Sequence, residues 1–221
     1  MDDKLRMRFS KTGMAVYMSH LDLMATARRT LLRAGVRLKY SEGFNPHPYI
    51  SIALPLPVGT SSLCELMDFG VAGGLTPDGL AEILNAVTPG GIGVLEVYLP
   101  VRKFSGIKWL RISGALRYDT RVQPGVVVSL NARFKAESII IAKKTKSGVS
   151  DTDIVPLIHK IQFSAINDDS IAVDAVISAQ NPSLSPDSLI NALSGDFSKL
   201  APVHASFTRT EIFDENYKIF R

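Results

Sequence analysis

The chain has 221 residues, 46% apolar and 21% charged, with a formal charge of +4; this balance argues against both a disordered chain and a membrane protein. Its single cysteine, Cys64, excludes an internal disulfide framework and any iron–sulfur or zinc–thiolate site drawn from this chain alone, because such sites need several sulfur ligands. No apolar run approaches the ~18 residues of a membrane span, and MDDKLRMRFSK lacks the apolar core of a signal peptide, so a cytoplasmic protein without membrane contact is expected.

In chain order, LRMRFSK alternates Leu5, Met7 and Phe9 with Arg6, Arg8 and Ser10, the period of a half-buried strand. SHLDLMATARRTLLRAG follows as a helix, with Ser19 as N-cap, Asp22 three residues on and Gly35 where a C-terminal cap belongs. Leu21, Met24, Ala27, Leu31 and Leu32 are expected to form its buried face. VRLKY alternates again, and YISIALPLPVG is a strand that runs out at Pro55 and Pro57, hence at an edge. SLCELMDFGV is a further strand. TPDGLAEILNAV is a helix capped by Thr76 with Pro77 at its first position, and GIGVLEVYLPV is a closing strand. The order β-α-β-β-α-β predicts a ferredoxin-like half over residues 1–103, with helices on one face of an antiparallel sheet.

Residues 104–221 are expected to form a second such half. IKWLRISGALRY is strand-like, PGVVVSLNARFKA is expected as a strand plus a short helix, and ESIIIAKKTKSGVSD as a strand entering a turn at Ser147-Gly148. Further strands flank the turn at Asn167-Asp168-Asp169, and VHASFTRTEIFDE closes the chain. LSPDSLINALSG repeats the grammar of LTPDGLAEILNA. Good capping chemistry used twice explains this echo, but its place between a strand and a terminal strand in each half favours duplication. The expected class is therefore α+β, two tandem ferredoxin-like halves.

Residues 1–60 carry nine Lys/Arg against four Asp/Glu, an excess of five that leaves the rest of the chain near −1. Such a basic end suits a polyanion such as RNA, although a solvated mixed surface has the same composition. Arg6 and Arg8 share one side of the first strand, and Arg37 and Lys39 one side of the next. Both pairs are expected on an open sheet face, the working surface of ferredoxin-like RNA-binding modules. The aromatic signature of the common RNA recognition motif is missing.

In GFNPHPYIS, residues 43–51, the prolines deny Asn45 and His47 the helical region. A stiffened loop lowers the entropy lost on binding, so both residues are candidate contacts; equally, Gly43 and the prolines could serve only a turn. His20, at the start of the first helix, could join His47 where the helix end attracts an anion. His159 and His204 have no visible partners and are taken as structural. KKTKSG, residues 143–148, is expected as a solvated hairpin tip. The phosphate-loop, dinucleotide, zinc-helix and nucleophile-elbow motifs are all missing.

The stretch MRFSKTGMAVYMSHLDLMATARRTLLRAGVRLKYSEGFNPHPYISIALPLPVG resembles the bacterial radical-SAM-linked family of unknown function. The likeness is carried by RFSKTG, SHLDL, Arg33-Ala34-Gly35 and YSEGFNPHP, and continues weakly through KSGVSDTDIVPLI. The resemblance implies a standalone accessory module for a cobalamin-binding radical SAM protein, acting on tRNA or ribosomal components. S-adenosylmethionine, iron–sulfur cluster and cobalamin would all sit on the partner, since this chain has no C-x-x-x-C-x-x-C triad.

The expected function is thus a non-catalytic module that presents RNA to such a partner. Its contact residues would be Arg6, Arg8, Lys11, Ser19, His20, Arg37, Lys39, Gly43, Phe44, Asn45 and His47, with no metal bound. One alternative is a metal-independent endoribonuclease with His47 as general acid or base; another is a protein-interaction scaffold.

Overall fold

The computed structural model describes residues 3–145 and 148–221. They cluster into two units, Met1–Gly106 with Arg221, and Ile107–Phe220. Each is a mixed α+β assembly built on an antiparallel sheet.

The first unit contains β1 (Lys4–Lys11), α1 (His20–Arg33), β2 (Ile50–Ile52), β3 (Ser61–Gly70), α2 (Leu80–Val87) and β4 (Ile92–Tyr98). Its strands lie in the order β4-β1-β3-β2, every pair antiparallel. Alternation puts Leu5, Met7 and Phe9 of β1 on one face, where they meet Met67 and Phe69 of β3. Leu23, Ala27 and Leu31 of α1 and Leu80 and Leu84 of α2 close over them. Removing a side chain such as Leu31, 1% exposed, would cost about 2–5 kcal/mol.

Ser19 caps α1 as its chemistry requires: the Asp22 amide donates to Ser19 Oγ at 3.2 Å, and Oγ donates to Asp22 Oδ2 at 2.7 Å. At the other end Gly35 has φ +76°, a left-handed geometry that glycine adopts without a Cβ penalty. It lets Gly35 and Val36 donate back to Leu32 and Leu31, each at 3.0 Å, satisfying carbonyls the helix leaves open. The buried face differs from the expected one. It runs through Leu23, Ala27, Thr30 and Leu31, whereas Leu21 and Leu32 are exposed, because α1 meets the sheet with the i, i+4, i+8 stripe that starts at Leu23.

Two further expectations shift. Gly79, at φ +69°, is the N-cap of α2, so Thr76 and Pro77 lie in a turn one step earlier, where the Leu80 amide donates to the Pro77 carbonyl at 3.1 Å. VRLKY forms no full strand. It contributes isolated bridges, Leu38 to Val71 and Tyr40 to Pro48, because it runs past the end of β3 rather than along it.

The second unit contains β5 (Trp109–Arg117), α3 (Val126–Arg133), β6 (Ile140–Thr145), β7 (Gly148–Asp153), β8 (Ile158–Asn167), β9 (Ser170–Ser178), α4 (Pro186–Asn191) and β10 (His204–Phe213). The main strands run β10-β5-β9-β8, again antiparallel, while β6 and β7 pair separately. Taken in chain order, the four sheet strands of either unit lie fourth-first-third-second. The hairpin tip expected at Ser147 lies outside the described residues.

PGVVVSLNARFKA is not part strand but helix, α3. Three consecutive valines favour a strand, yet Leu130 and Phe134 fall on one helical face and are buried, and that packing prevails. Both α2 and α3 carry an asparagine that grips an outermost strand. Asn85 donates to the Val94 carbonyl and accepts from the Val94 amide, both at 2.8 Å; Asn131 does the same at Phe163, both at 3.0 Å. On the second unit, His159 is stacked on Tyr217 with ring centres 3.7 Å apart, and Trp109 lies 5.4 Å from Tyr217.

Candidate functional site

The face of the first sheet turned away from the helices carries Lys4, Arg6 and Arg8, as strand alternation requires. It is not an open cationic surface. Arg6 sits opposite Asp68 in register and is wholly buried. Its Nε donates to Asp68 Oδ1 at 2.6 Å, and its Nη2 donates to Oδ2 at 3.0 Å and to the Arg102 carbonyl at 2.9 Å. The Phe104 ring covers the guanidinium at 4.3 Å. Lys4, half-exposed, adds a second cation to Asp68 at 2.6 Å. Arg8 is only 22% exposed and reaches Glu96 at 3.5 Å, which Arg221 also approaches at 3.4 Å.

Lys11 is likewise withdrawn from solvent, at 1% exposure. Its ammonium donates to the carbonyls of Val16 at 3.1 Å and Met18 at 3.0 Å. Burial pulls its pKa below the usual lysine value, and the nearby Glu65 carboxylate partly offsets this. A polyanion cannot reach Arg6 or Lys11, so both leave the expected contact set. Their role is to close the turn after β1 and to neutralise Asp68.

The motif in residues 43–51 resolves into a tight hairpin. The Ser41 amide donates to the His47 carbonyl at 2.8 Å, and the His47 amide donates to Ser41 Oγ at 2.9 Å. The prolines on either side hold His47 extended, so both of its backbone groups face Ser41. It is the backbone of His47, rather than its imidazole, that the motif positions. The tip between these bonds contains Gly43, at φ +121°, and Phe44, whose side chain is entirely exposed. Asn45 and His47 are exposed as well.

Beside the hairpin lies a cleft of about 460 Å³, lined by Asp3, Lys4, Lys39, Pro48, Tyr49, Ile50, Ser51, Asp68, Phe69 and Gly70. Its wall is made where three stretches of backbone meet: Lys39 donates to Gly70 at 3.0 Å, Gly70 to Tyr49 at 2.7 Å, and Tyr49 to Lys39 at 2.9 Å. Glycine eases the crossing. A Cβ on Gly70 would lie 3.1 Å from the Cβ of Tyr49 and 3.2 Å from that of Lys39. Lys39 is ion-paired with Asp3, whose carboxyl that ammonium holds below the usual range. Arg37 is exposed.

Of the expected contact residues, the structure therefore brings Lys39 to the cleft and Gly43, Phe44, Asn45 and His47 to the hairpin beside it. Ser19 serves as the helix cap, and His20 is exposed at the start of α1. The His47 imidazole has no hydrogen-bonding partner among the described residues. The sequence reading missed Lys4, Tyr49, Ser51 and Asp68. A signal for Asp68 existed: two carboxylates, Glu65 and Asp68, inside the otherwise apolar run LCELMDFGV imply buried counter-charges. Among the described residues no group of three or more His, Cys, Asp or Glu side chains is placed to hold a metal ion, and no helix is long and apolar enough to cross a membrane.

Residues 4–186 match the model of a family described as an uncharacterized protein conserved in bacteria, DUF2344. The chain belongs to this family. No curated protein matches it. Among solved structures it is similar to a chain of a Cbf5-Nop10-Gar1 complex, with 11% identity and a TM-score of 0.56 over 97% of this chain and 50% of that one. It is also similar, at 11% identity and a TM-score of 0.48, to a chain of an H/ACA RNP bound to a substrate RNA containing 2'-deoxyuridine, covering 98% of this chain and 49% of that one. The chain thus spans about half the length of either. The first likeness places the fold among mixed α+β proteins with a mostly antiparallel sheet. The link to radical SAM proteins rests on the motif resemblance alone.

Proposed function

We propose that this protein is a cytoplasmic, non-catalytic binding module of two tandem ferredoxin-like units, whose first unit holds RNA, of tRNA or ribosomal origin, for a radical SAM partner. The shared strand order of the two units supports the duplication. The partner comes from the motif resemblance, and S-adenosylmethionine, cluster and cobalamin would be its cofactors.

The observation that carries the RNA reading is the hairpin: Phe44 is entirely exposed on a tip braced on both sides, beside a cleft walled by Tyr49, Lys4 and Lys39. An exposed aromatic ring on a stiff support stacks on a base with little entropy to lose, and adjacent cations take the backbone phosphates. General acid–base catalysis by His47 gains nothing from the geometry, since no group orients its ring.

Anisotropy of a labelled single-stranded RNA tests the reading. Contacts by Lys4, Arg37 and Lys39 give a log–log salt slope of roughly −2, at about −0.7 per phosphate. Phe44→Ala should weaken binding by about 1–3 kcal/mol. Salt-insensitive binding, or no binding to any RNA, sinks the proposal. RNA cleavage in EDTA that His47→Ala abolishes would replace it with the endoribonuclease.

A further inference from the structure

Beyond the RNA site, we propose that the solvent side of α1 is a docking seam for an acidic amphipathic helix of a partner protein. The helix is apolar on two faces. Leu23, Ala27 and Leu31 enter the core, while Leu21 is 78% and Leu32 46% exposed, and Ala25 and Arg28 between them are exposed too. At about 100° per residue, positions 21, 25, 28 and 32 fall within about 60° of one another. Their 4-3-4 spacing is the d-a-d-a step of a heptad seam. Single leucines scattered over a surface need no explanation; leucines at both ends of one such row do. The helix has 14 residues, about 21 Å, enough to present all four positions to one partner helix.

Charge decides what that partner is. On α1, Arg28, Arg29 and Arg33 are exposed against one carboxylate, Asp22, which already accepts the Ser19 hydroxyl. Arg33 donates to the Val87 carbonyl at 2.8 Å. Arg28 and Arg29 have no hydrogen-bonding or ionic partner among the described residues. Arg28 lies in the seam and Arg29 at the flanking e position, where coiled coils place the charges that choose a partner. An arginine there lays its stem along apolar surface while its guanidinium reaches the rim for a carboxylate. The complement is a row of leucine-like side chains flanked by glutamate or aspartate. A second copy of this chain would set a net positive face against itself. RNA would satisfy the arginines and leave the leucines bare, since aliphatic side chains offer no ring on which a base can stack.

The seam is held in a fixed position. Just before α1, the 3-10 turn Gly13–Tyr17 is pinned where the Lys11 ammonium donates to the carbonyls of Val16 and Met18 and the Gly59 amide donates to Val16 at 2.9 Å. With the Ser19 cap, these bonds fix where the helix begins. The same turn exposes Met14 and Tyr17, at 80% and 66%, further apolar surface within a few residues of Leu21. RFSKTG and SHLDL thus frame and start the seam, whereas the RNA site draws on neither.

The test uses the full chain and three labelled synthetic peptides, each of three heptads: leucine at a and d with glutamate at e and g, the same with lysine at e and g, and the glutamate peptide with serine at a and d. Anisotropy should show the first binding roughly tenfold or more tighter than the other two. Leu21→Ser with Leu32→Ser should abolish that preference, and Arg28→Glu with Arg29→Glu should transfer it to the lysine peptide. Both variants should keep the far-UV circular dichroism of the wild type and its affinity for single-stranded RNA. Equal binding of the three peptides, binding of none, or a preference that the arginine reversal does not move overturns the seam and leaves the RNA reading intact. Lost RNA affinity on the arginine reversal gives α1 to RNA, and a wild-type dimer in sedimentation that the leucine variant dissolves gives it to a second copy; either result also overturns the seam.

Discussion

Asp68→Ala is the perturbation that most directly tests whether Arg6 belongs to the framework rather than to a binding surface. The substitution strands a guanidinium that is wholly buried and takes two of its bonds, at 2.6 and 3.0 Å, from that carboxylate. Losing one partner of a buried pair costs about 3–5 kcal/mol. Lys4 adds little, since it is half-exposed and such pairs are worth about 0–1 kcal/mol. Against a typical total of about 5–15 kcal/mol, the loss is roughly a fifth or more of the stability. Urea unfolding followed by far-UV circular dichroism measures it. The single tryptophan, Trp109, lies in the second unit and reports on that unit separately. Replacing both partners, Arg6→Met with Asp68→Leu, removes the charges together and should cost far less than the two single changes summed. An Asp68→Ala protein within about 1 kcal/mol of wild type, or a double variant as unstable as that sum, would refute the reasoning.

Two further outcomes test the frame around the site. Gly91→Ala should destabilise the protein by at least about 2 kcal/mol in the same urea assay, because Gly91 has φ +87° and a Cβ there would meet the Thr12 carbonyl oxygen at 2.5 Å. The Asp153 carboxylate accepts the amides of Ile139 and Val155, each at 3.0 Å, and these bonds hold its pKa below 3.8. A carboxyl depressed by folding stabilises above its unfolded pKa and loses that contribution as pH falls through its folded one. Asp153→Asn should therefore flatten the fall of stability on the acid side of pH 4, read from unfolding midpoints at successive pH values.

Much of the first unit was legible from local signals. The alternation of β1 and the Ser19 and Gly35 caps of α1 depend on residues within a few positions of one another, and all appear as expected. The burial of Arg6 was not legible, because its partner Asp68 is 62 positions away and its cover, Phe104, still farther. Lys11 turns inward for the carbonyls of Val16 and Met18, groups every sequence has and none advertises. The buried face of α1 was misjudged because five apolar residues span more than one helical stripe, and only contact with the sheet selects among them. In α3, three valines pointed to a strand until tertiary packing decided otherwise. The hairpin was recognised as stiff, yet the use of that stiffness lay in Ser41, six residues before His47, and in the Phe44 tip it exposes.

The paired grip of Asn85 on Val94 and of Asn131 on Phe163 has a consequence for behaviour at high concentration. Outermost strands offer a row of unused donors and acceptors to any other chain that arrives extended. Each amide occupies both groups of one residue midway along such a row, so a stranger cannot zip along β4 or β8 without first displacing it. Exchange of either asparagine for leucine should leave the monomer able to fold and make it prone to fibrous self-association.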